Sequence, residues 1–296
     1  MGIRSQVVST PASYRRNTAG KVVQFQRALR LLPAYLLLTV FALLAVTPFI
    51  YMTLSSFKPF QEIIDPFPTL FPKQWTIASY VEILTRQGFL RSLWNTVVIS
   101  TAITLFQGLT ASSMGYVFAK YTFPGKELLF RILLSTMMVP FAVVLIPLYI
   151  VVAHVGLIDN LGALFVVAMW NTFSIFTMRQ FMESIPIELI EAARIDGAGE
   201  LWIFARIAMP LALAPLTTIS VFTFLAQWDN FMFPSVVIID RTNWTLPLFL
   251  SGLKSLYWTR YDIWIAGAML TILPVLTAYA FTQRTFVRGA QMSGLK

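Results

Sequence analysis

The sequence predicts an all-α integral membrane protein with six transmembrane helices. Of its 296 residues, 57% are hydrophobic and 12% are charged, whereas about 25% of the residues of an ordinary soluble domain are charged. A soluble chain of this size cannot bury so much apolar surface, so the composition overrides the two domains that length alone suggests. Six long apolar runs contain no Lys, Arg, Asp or Glu.

Each of these runs is long enough to cross a bilayer. A spanning helix needs about 20 mostly apolar residues, because the hydrocarbon core is about 30 Å thick and each residue adds about 1.5 Å. A buried helix of a soluble fold is the weaker interpretation of each run, and the short alternating runs of a membrane β-barrel are not seen. The predicted spans are Leu31–Leu54, Thr96–Phe118, Ile132–Val152, Leu161–Met178, Ile207–Gln227 and Ile263–Thr282.

Basic residues orient the predicted spans. When alternate loops are assigned to one side, 15 Lys and Arg residues fall on the side of both termini and 7 on the other. Basic loops resist translocation, so both termini are predicted to be cytoplasmic. The tail before the first span has six basic residues and no acid. We interpret it as a topology signal that contacts lipid headgroups, and nothing in it indicates nucleic-acid binding.

These assignments divide the chain into three parts. Residues 1–30 form a basic cytoplasmic tail, residues 31–284 a six-helix transmembrane domain, and residues 285–296 a second cytoplasmic tail. The first apolar run exceeds the about 7–15 apolar residues of a signal-peptide core, so it is interpreted as a retained span.

Several chemistries are excluded or disfavoured by composition. The chain has no cysteine, which excludes disulfides, a thiol nucleophile and Cys-ligated metals. His154 is the single histidine, so a multi-histidine metal centre is not expected. No metal site and no catalytic residue are predicted.

Uncharged polar residues in or beside the spans are candidates for a solute pathway. Gln107 and Asn171 lie inside spans, and Gln227 and Trp228 lie where the fifth span ends. No span contains a charged residue, which argues against a proton relay or an ion-coupled carrier. A neutral, hydroxylated solute fits better. Trp170 and Trp228 offer faces for sugar stacking, although interfacial anchoring is the commoner use of tryptophan.

Small residues also recur at near-helical spacing in and after the second span. They predict that another helix approaches closely there, either in static bundle packing or at a moving interface. These residues are Gly108, Ser112, Gly115 and Ala119.

The loop between spans four and five, residues 184–210, is predicted to form two short helices with a bend; we call it the coupling loop. Pro186 fits a first helical turn. Gly197 fits the left-handed residue that follows a helix end. The first helix is too apolar to be only a solvated linker. This predicts a docking element on the cytoplasmic face. A helix lying on the membrane surface is the alternative.

This loop strongly resembles the EAA motif of permease subunits in binding-protein-dependent ABC importers. Met209 stands where that family usually has leucine. Further similarity to the smaller, maltose-type sugar permease lies in Asn95-Thr96 and in residues 116–126, and the resemblance covers roughly residues 31–296. The matching residues of the loop are Glu191, Ala192, Ala193, Asp196, Gly197, Ala198, Ile207 and Pro210.

The resemblance implies the type I permease fold of ABC importers, in the bacterial inner membrane. It implies that residues 191–198 form a coupling helix that docks on an ATPase subunit, and that residues 289–296 reach toward the ATPase dimer. A second permease subunit would complete the pore. The loop after span five would face a periplasmic or extracellular solute-binding protein, with candidate contacts at Thr245, Leu246, Pro247 and Ser251.

The chain has no G-x-x-x-x-G-K-S/T phosphate loop. ATP and Mg²⁺ are therefore expected on partner ATPase subunits, with no cofactor on this chain, which is not predicted to be an enzyme. The expected solute is a sugar or oligosaccharide, an acidic one included. Three alternatives stay open: a permease for a non-sugar solute such as an amino acid or phosphate, a membrane enzyme, and a secondary transporter.

Overall fold

The computed structural model describes the backbone of residues 12–254 and 259–293, and the side chains of residues 31–254 and 259–280. All regular secondary structure in these ranges is helical. Helix α1, Ala12–Ser55, forms a compact unit of its own, and the chain from Ser56 onward forms a second. In α1 the apolar side chains from Leu31 to Ile50 are exposed, as a helix surrounded by lipid or by a partner subunit requires.

The second unit contains the remaining helices. Short 3-10 turns cover Thr136–Met138 and Arg241–Asn243, and one π-helical turn covers Phe204–Ala208. The α-helices are α2 (Phe60–Ile63), α3 (Ala78–Thr85), α4 (Phe89–Lys120), α5 (Lys126–Ser135), α6 (Phe141–His154), α7 (Leu161–Ala168), α8 (Thr172–Glu183), α9 (Ile187–Ile195), α10 (Glu200–Ile203), α11 (Met209–Leu211), α12 (Leu213–Trp228), α13 (Met232–Val237), α14 (Leu246–Gly252) and α15 (Tyr261–Ser293).

Between four and six stretches of the described chain can cross a membrane. Four are long and apolar enough as single segments, and two more qualify if each bent pair of helices is one span. The pairs bend by 105° between Met138 and Phe141 and by 79° between Leu211 and Leu213. The predicted third span is therefore not one straight helix. Pro140 precedes α6, and proline cannot continue the hydrogen-bond ladder of the helix before it.

Helix α4 lies at the centre of the second unit and packs against α8 and α12. A Cβ atom at Gly115 would lie 2.7 Å from Cβ of Met178, and one at Gly108 would lie 3.4 Å from a side-chain carbon of Leu216. Ser112, between them, is fully buried. The predicted close approach of helices at the small residues is therefore confirmed. It holds the backbones of α4 and α8 nearly in contact.

Candidate functional site

The coupling loop contains α9, α10 and the bend between them. Pro186 precedes α9, and Gly197 follows it with φ of +83°, the left-handed conformation that glycine adopts most readily. Ile190 and Ile203 of this loop are fully buried in a cluster with Met178 and Met182 of α8. Burial of such a side chain contributes about 1.5–3 kcal/mol, so one face of the loop is packed firmly on the helices of the second unit.

The opposite face of the loop is open. A groove of about 580 Å³ runs along it and is lined by nine residues. Glu191 is exposed but does not line the groove. Large apolar side chains nearby are exposed in the isolated chain, with Ile195 87% and Leu201 84% exposed. An exposed apolar surface around a groove is typical of a protein-binding site. The lining residues are Leu189, Ala192, Ala193, Asp196, Gly197, Ala198, Gly199, Trp202 and Ile207.

The carboxyl end of α4 contacts the coupling loop at two places, before α9 and at the start of α10. Lys120 Nζ donates hydrogen bonds to the carbonyl oxygen of Ile185 at 2.5 Å and to that of Glu183 at 3.5 Å, just before α9. Tyr121 donates its hydroxyl to the Glu200 carboxylate at the start of α10. The coupling loop is thereby bonded directly to the end of α4.

The Glu200 carboxylate joins three elements. It accepts hydrogen bonds from Arg194 Nε at 2.7 Å and Arg194 NH2 at 3.2 Å, besides the Tyr121 hydroxyl. The Arg194 guanidinium lies 5.8 Å from the centre of the Tyr121 ring. Burial, and then the hydrogen bond to Glu200, raise the pKa of Tyr121 to about 12. The tyrosine therefore stays a hydrogen-bond donor at any physiological pH.

A cavity of about 850 Å³ opens where three helix breaks meet. The breaks lie at Pro140, at residues 169–171 between α7 and α8, and at residues 229–231 between α12 and α13. Broken helices at membrane depth are tolerated where they line a cavity, because water or a solute can satisfy the freed backbone groups. We call this the pathway cavity. Trp170, 53% exposed, forms part of its wall.

Three of the four predicted pathway residues line the pathway cavity: Gln107, Asn171 and Gln227. Gln107 donates to the carbonyl of Ala168 at 3.1 Å and accepts from the hydroxyl of Thr223. The Asn171 side-chain oxygen caps α8 by accepting from the backbone N–H of Ser174 at 3.0 Å. These side chains therefore also hold the breaks in place.

The fourth candidate is not in the cavity. Trp228 is buried, stacks on Phe224 with ring centres 5.6 Å apart and does not line this cavity; its role in the pathway stays a prediction. Conversely, the predictions omitted Thr136, Thr172 and Asn230, which line the cavity. Pro140 was the signal in the sequence from which Thr136 could have been predicted. A proline ends the preceding helix, and the turn before Pro140, which contains Thr136, is then exposed to the cavity.

The loop after α12 was predicted to contact a binding protein through Thr245, Leu246, Pro247 and Ser251. Thr245 and Leu246 are buried; Pro247 is half-buried and Ser251 exposed. The backbone N–H of Leu246 donates to the Thr96 hydroxyl at 2.7 Å. Leu246 thus fastens the loop to α4, and the side chains of Thr245 and Leu246 are too buried in this structure to offer a contact surface.

The described residues include no group of three or more His, Asp or Glu side chains that could hold a metal ion. The site consists of a groove on the coupling loop, a cavity at the helix breaks and the loop before α14. A large cavity among apolar, broken helices together with an exposed groove is typical of a membrane transport subunit.

The chain belongs to the family of inner membrane components of binding-protein-dependent transport systems, whose model matches residues 108–289. The family predicted from the EAA-like loop is confirmed. The permease protein AraQ of the arabinooligosaccharides transport system of Halalkalibacterium halodurans is 33% identical over 258 residues, which are 86% of this chain and 92% of AraQ. The lactose permease protein LacG of Rhizobium radiobacter is 30% identical over 256 residues, covering 86% of this chain and 93% of LacG.

Solved structures support the fold. A chain of a bacterial ABC transporter that imports the acidic polysaccharide alginate superimposes with a TM-score of 0.77 at 23% identity, covering 95% of this chain and 100% of that chain. A methionine ABC transporter in inward-facing conformations gives a TM-score of 0.51 at 19% identity, over 68% of this chain and 95% of that chain. The fold is thus that of an ABC importer permease.

Proposed function

We propose that this chain is one of two permease subunits of an ATP-driven importer for a sugar or oligosaccharide. A solute-binding protein delivers the solute, and separate ATPase subunits bind ATP and Mg²⁺. The observation that carries the proposal is the coupling loop, which is packed on α4 and α8 by one face and presents an open groove on the other. The names of the relatives, which concern arabinooligosaccharides and lactose, favour a carbohydrate.

The groove of the coupling loop is the proposed ATPase-docking surface. Ala192, Ala193, Asp196, Gly197 and Ala198 line it, and the exposed Glu191 lies beside it. In this proposal the chain has six spans with both termini and the coupling loop in the cytoplasm, which agrees with the excess of basic residues on that side. The tails, residues 1–30 and 285–296, include stretches outside the described side chains.

The pathway cavity is the proposed contribution of this chain to the solute route. Gln107, Asn171 and Gln227 supply polar groups, and Trp170 supplies an exposed ring for stacking on a sugar face. The lining contains no charged side chain among the described residues, which suits a neutral solute. The cavity is open on one side, where a second permease subunit would close it.

Transport then follows from two states of this unit. ATP binding brings two ATPase subunits together and with them the coupling loops of both permeases. Lys120 and Tyr121 carry this displacement to α4, and α4 moves the wall of the pathway cavity through Gln107. Binding of the ATPases shifts the equilibrium only because their contacts differ between the two states.

The docking role is tested with a matched pair of glycines. At both Gly197 and Gly156 φ is positive and a Cβ atom would enter open space, but only Gly197 lines the groove. Alanine in that conformation costs about 1–2 kcal/mol at either position. Gly197→Ala is expected to lower solute uptake per ATP several-fold in proteoliposomes because it alters the docking surface, whereas Gly156→Ala leaves it unchanged. Equal behaviour of the two variants, at equal yields of assembled complex, would contradict the docking role.

A second variant tests the surface without touching the backbone. Glu191 is exposed, so Glu191→Lys preserves folding and reverses one charge beside the groove. We expect intact insertion, with reduced capture of the ATPase subunits and reduced transport.

The solute class is identified by testing which unlabelled compounds inhibit uptake: sugars, amino acids or phosphate. Inhibition by an amino acid alone would replace the carbohydrate assignment. Uptake by the chain alone, without ATP, would instead establish a secondary transporter.

A further inference from the structure

A small basic notch lies at the end of α4 opposite to the coupling loop. It has a volume of about 80 Å³ and is lined by residues that precede α4, by the loop before α14 and by the end of α14. Helix α4 has 32 residues and a length of about 48 Å, so the notch and the coupling loop are on opposite sides of the membrane. Arg86 and Arg241 supply the charge, and Trp244, Gly88 and Gly252 form its walls.

Among the described residues, the Arg241 guanidinium of the notch has no carboxylate partner. All 13 Asp and Glu residues belong to the described part of the chain, and none of them forms an ion pair with Arg241. Its guanidinium lies over the Trp244 ring, 5.3 Å from the ring centre. Arg86 is 3.9 Å from Glu82, a carboxylate that Arg260 also contacts at 3.2 Å. The Arg241 guanidinium is thus able to bind an anionic group in the notch.

The walls of the notch are held rigidly. The Asn95 side-chain amide donates to the carbonyl oxygens of Thr242 and Trp244, both at 3.0 Å. Gly252 lies so close to Trp244 that a Cβ atom there would be 2.6 Å from the indole ring. The backbone that follows Arg241 and the Trp244 ring are therefore held in place in the absence of a partner. Such preorganisation reduces the entropy cost of binding.

The size of the notch selects its occupant. Small-molecule sites usually have about 300–1,000 Å³, so 80 Å³ admits one side-chain carboxylate but no sugar ring. Guanidinium groups bind carboxylates well because two N–H donors match two oxygens. We propose that Arg241 and Arg86 receive a carboxylate side chain of the solute-binding protein. This inference rests on the proposed function, and it transfers the binding-protein contact from the buried Thr245 and Leu246 to Arg241.

The test uses the complete transporter in proteoliposomes with the solute-binding protein that stimulates its ATPase. Arg241→Gln is expected to raise the binding-protein concentration for half-maximal stimulation about two- to fivefold, as for loss of one exposed ion pair. The maximal rate stays unchanged. The salt dependence of stimulation becomes shallower, because one screened ion pair is lost. The matched control is Arg91→Gln, since Arg91 is exposed in the first turn of α4 and does not line the notch.

Each outcome decides between the possibilities. If Arg241→Gln and Arg91→Gln behave alike, the notch does not dock the binding protein. If the effect of Arg241→Gln occurs with an acidic sugar but not with a neutral one, the carboxylate belongs to the solute and the proposal is overturned. If no solute-binding protein stimulates the wild-type transporter, the proposed function itself fails. Arg241→Lys, which keeps the charge but not the paired donors, is expected to lie between wild type and Arg241→Gln.

Discussion

Replacing Tyr121 by phenylalanine removes one hydroxyl from the junction between α4 and the coupling loop. The ring and its edge-on contact with Tyr116, at 5.8 Å between centres, are preserved. The hydroxyl donates to the Glu200 carboxylate, which keeps its two hydrogen bonds from Arg194. The variant therefore removes the hydrogen bond between the end of α4 and α10, while the ion pair between α9 and α10 is kept.

The size of the effect follows from the exposure of these groups. A hydrogen bond to a charged group contributes about 1.5–3 kcal/mol, but Glu200 is exposed and Tyr121 half-buried, which reduces this to about 1 kcal/mol. That energy corresponds to about a fivefold change in an equilibrium constant. Tyr121→Phe is thus expected to lower the ratio of solute transported to ATP hydrolysed up to about fivefold, with basal ATPase activity and assembly unchanged.

The assay measures uptake and phosphate release together in proteoliposomes. Tyr121→Phe, Glu200→Gln and the double variant form a double-mutant cycle. Because both substitutions act on the same hydrogen bond, the double variant is expected to have a transport-to-ATP ratio no lower than that of the poorer single variant. Because the raised pKa of Tyr121 is about 12, the contribution of its hydroxyl persists below the unfolded value near 10 and is lost only as the pH rises through 12. The difference between wild type and Tyr121→Phe should therefore be constant from about pH 6 to pH 9. An unaltered ratio in Tyr121→Phe together with a lowered one in Glu200→Gln would refute the transmission through Tyr121.

Three further substitutions test other parts of the structure. Gly115→Ala places a Cβ atom 2.7 Å from Met178 and is expected to destabilise the complex by about 1–3 kcal/mol; thermal inactivation in detergent measures this, and Gly108→Ala should cost less. Gly252→Ala should displace Trp244 and weaken binding-protein stimulation without changing uptake per ATP. Asp159 has φ of +58°, and its carboxylate accepts from the backbone N–H groups of Ile239 and Asp240, which lower its pKa. Asp159→Ala should lower thermal stability more than Asp159→Asn, because asparagine keeps an acceptor and tolerates positive φ.

Local sequence was sufficient where one physical property acts over a continuous stretch. Apolar runs without charge predicted the membrane class, because every residue facing lipid must be apolar. The residues from Glu191 to Pro210 predicted the family, and Gly197 the bend after α9, because a left-handed residue favours glycine whatever surrounds it. The close approach at Gly115 followed from the spacing of small residues on one helix face.

Tertiary structure decided what depends on residues far apart in the chain. Tyr121 and Glu200 are separated by 79 positions, and no local pattern relates them. Trp228 follows Gln227, which lines the cavity, but its own side chain is buried. Thr245 lies in the loop before α14 and is also buried. Local sequence shows which residues can lie in a membrane span or in a loop. The direction of each side chain is determined by which helices pack against it, and in this protein by the packing around α4.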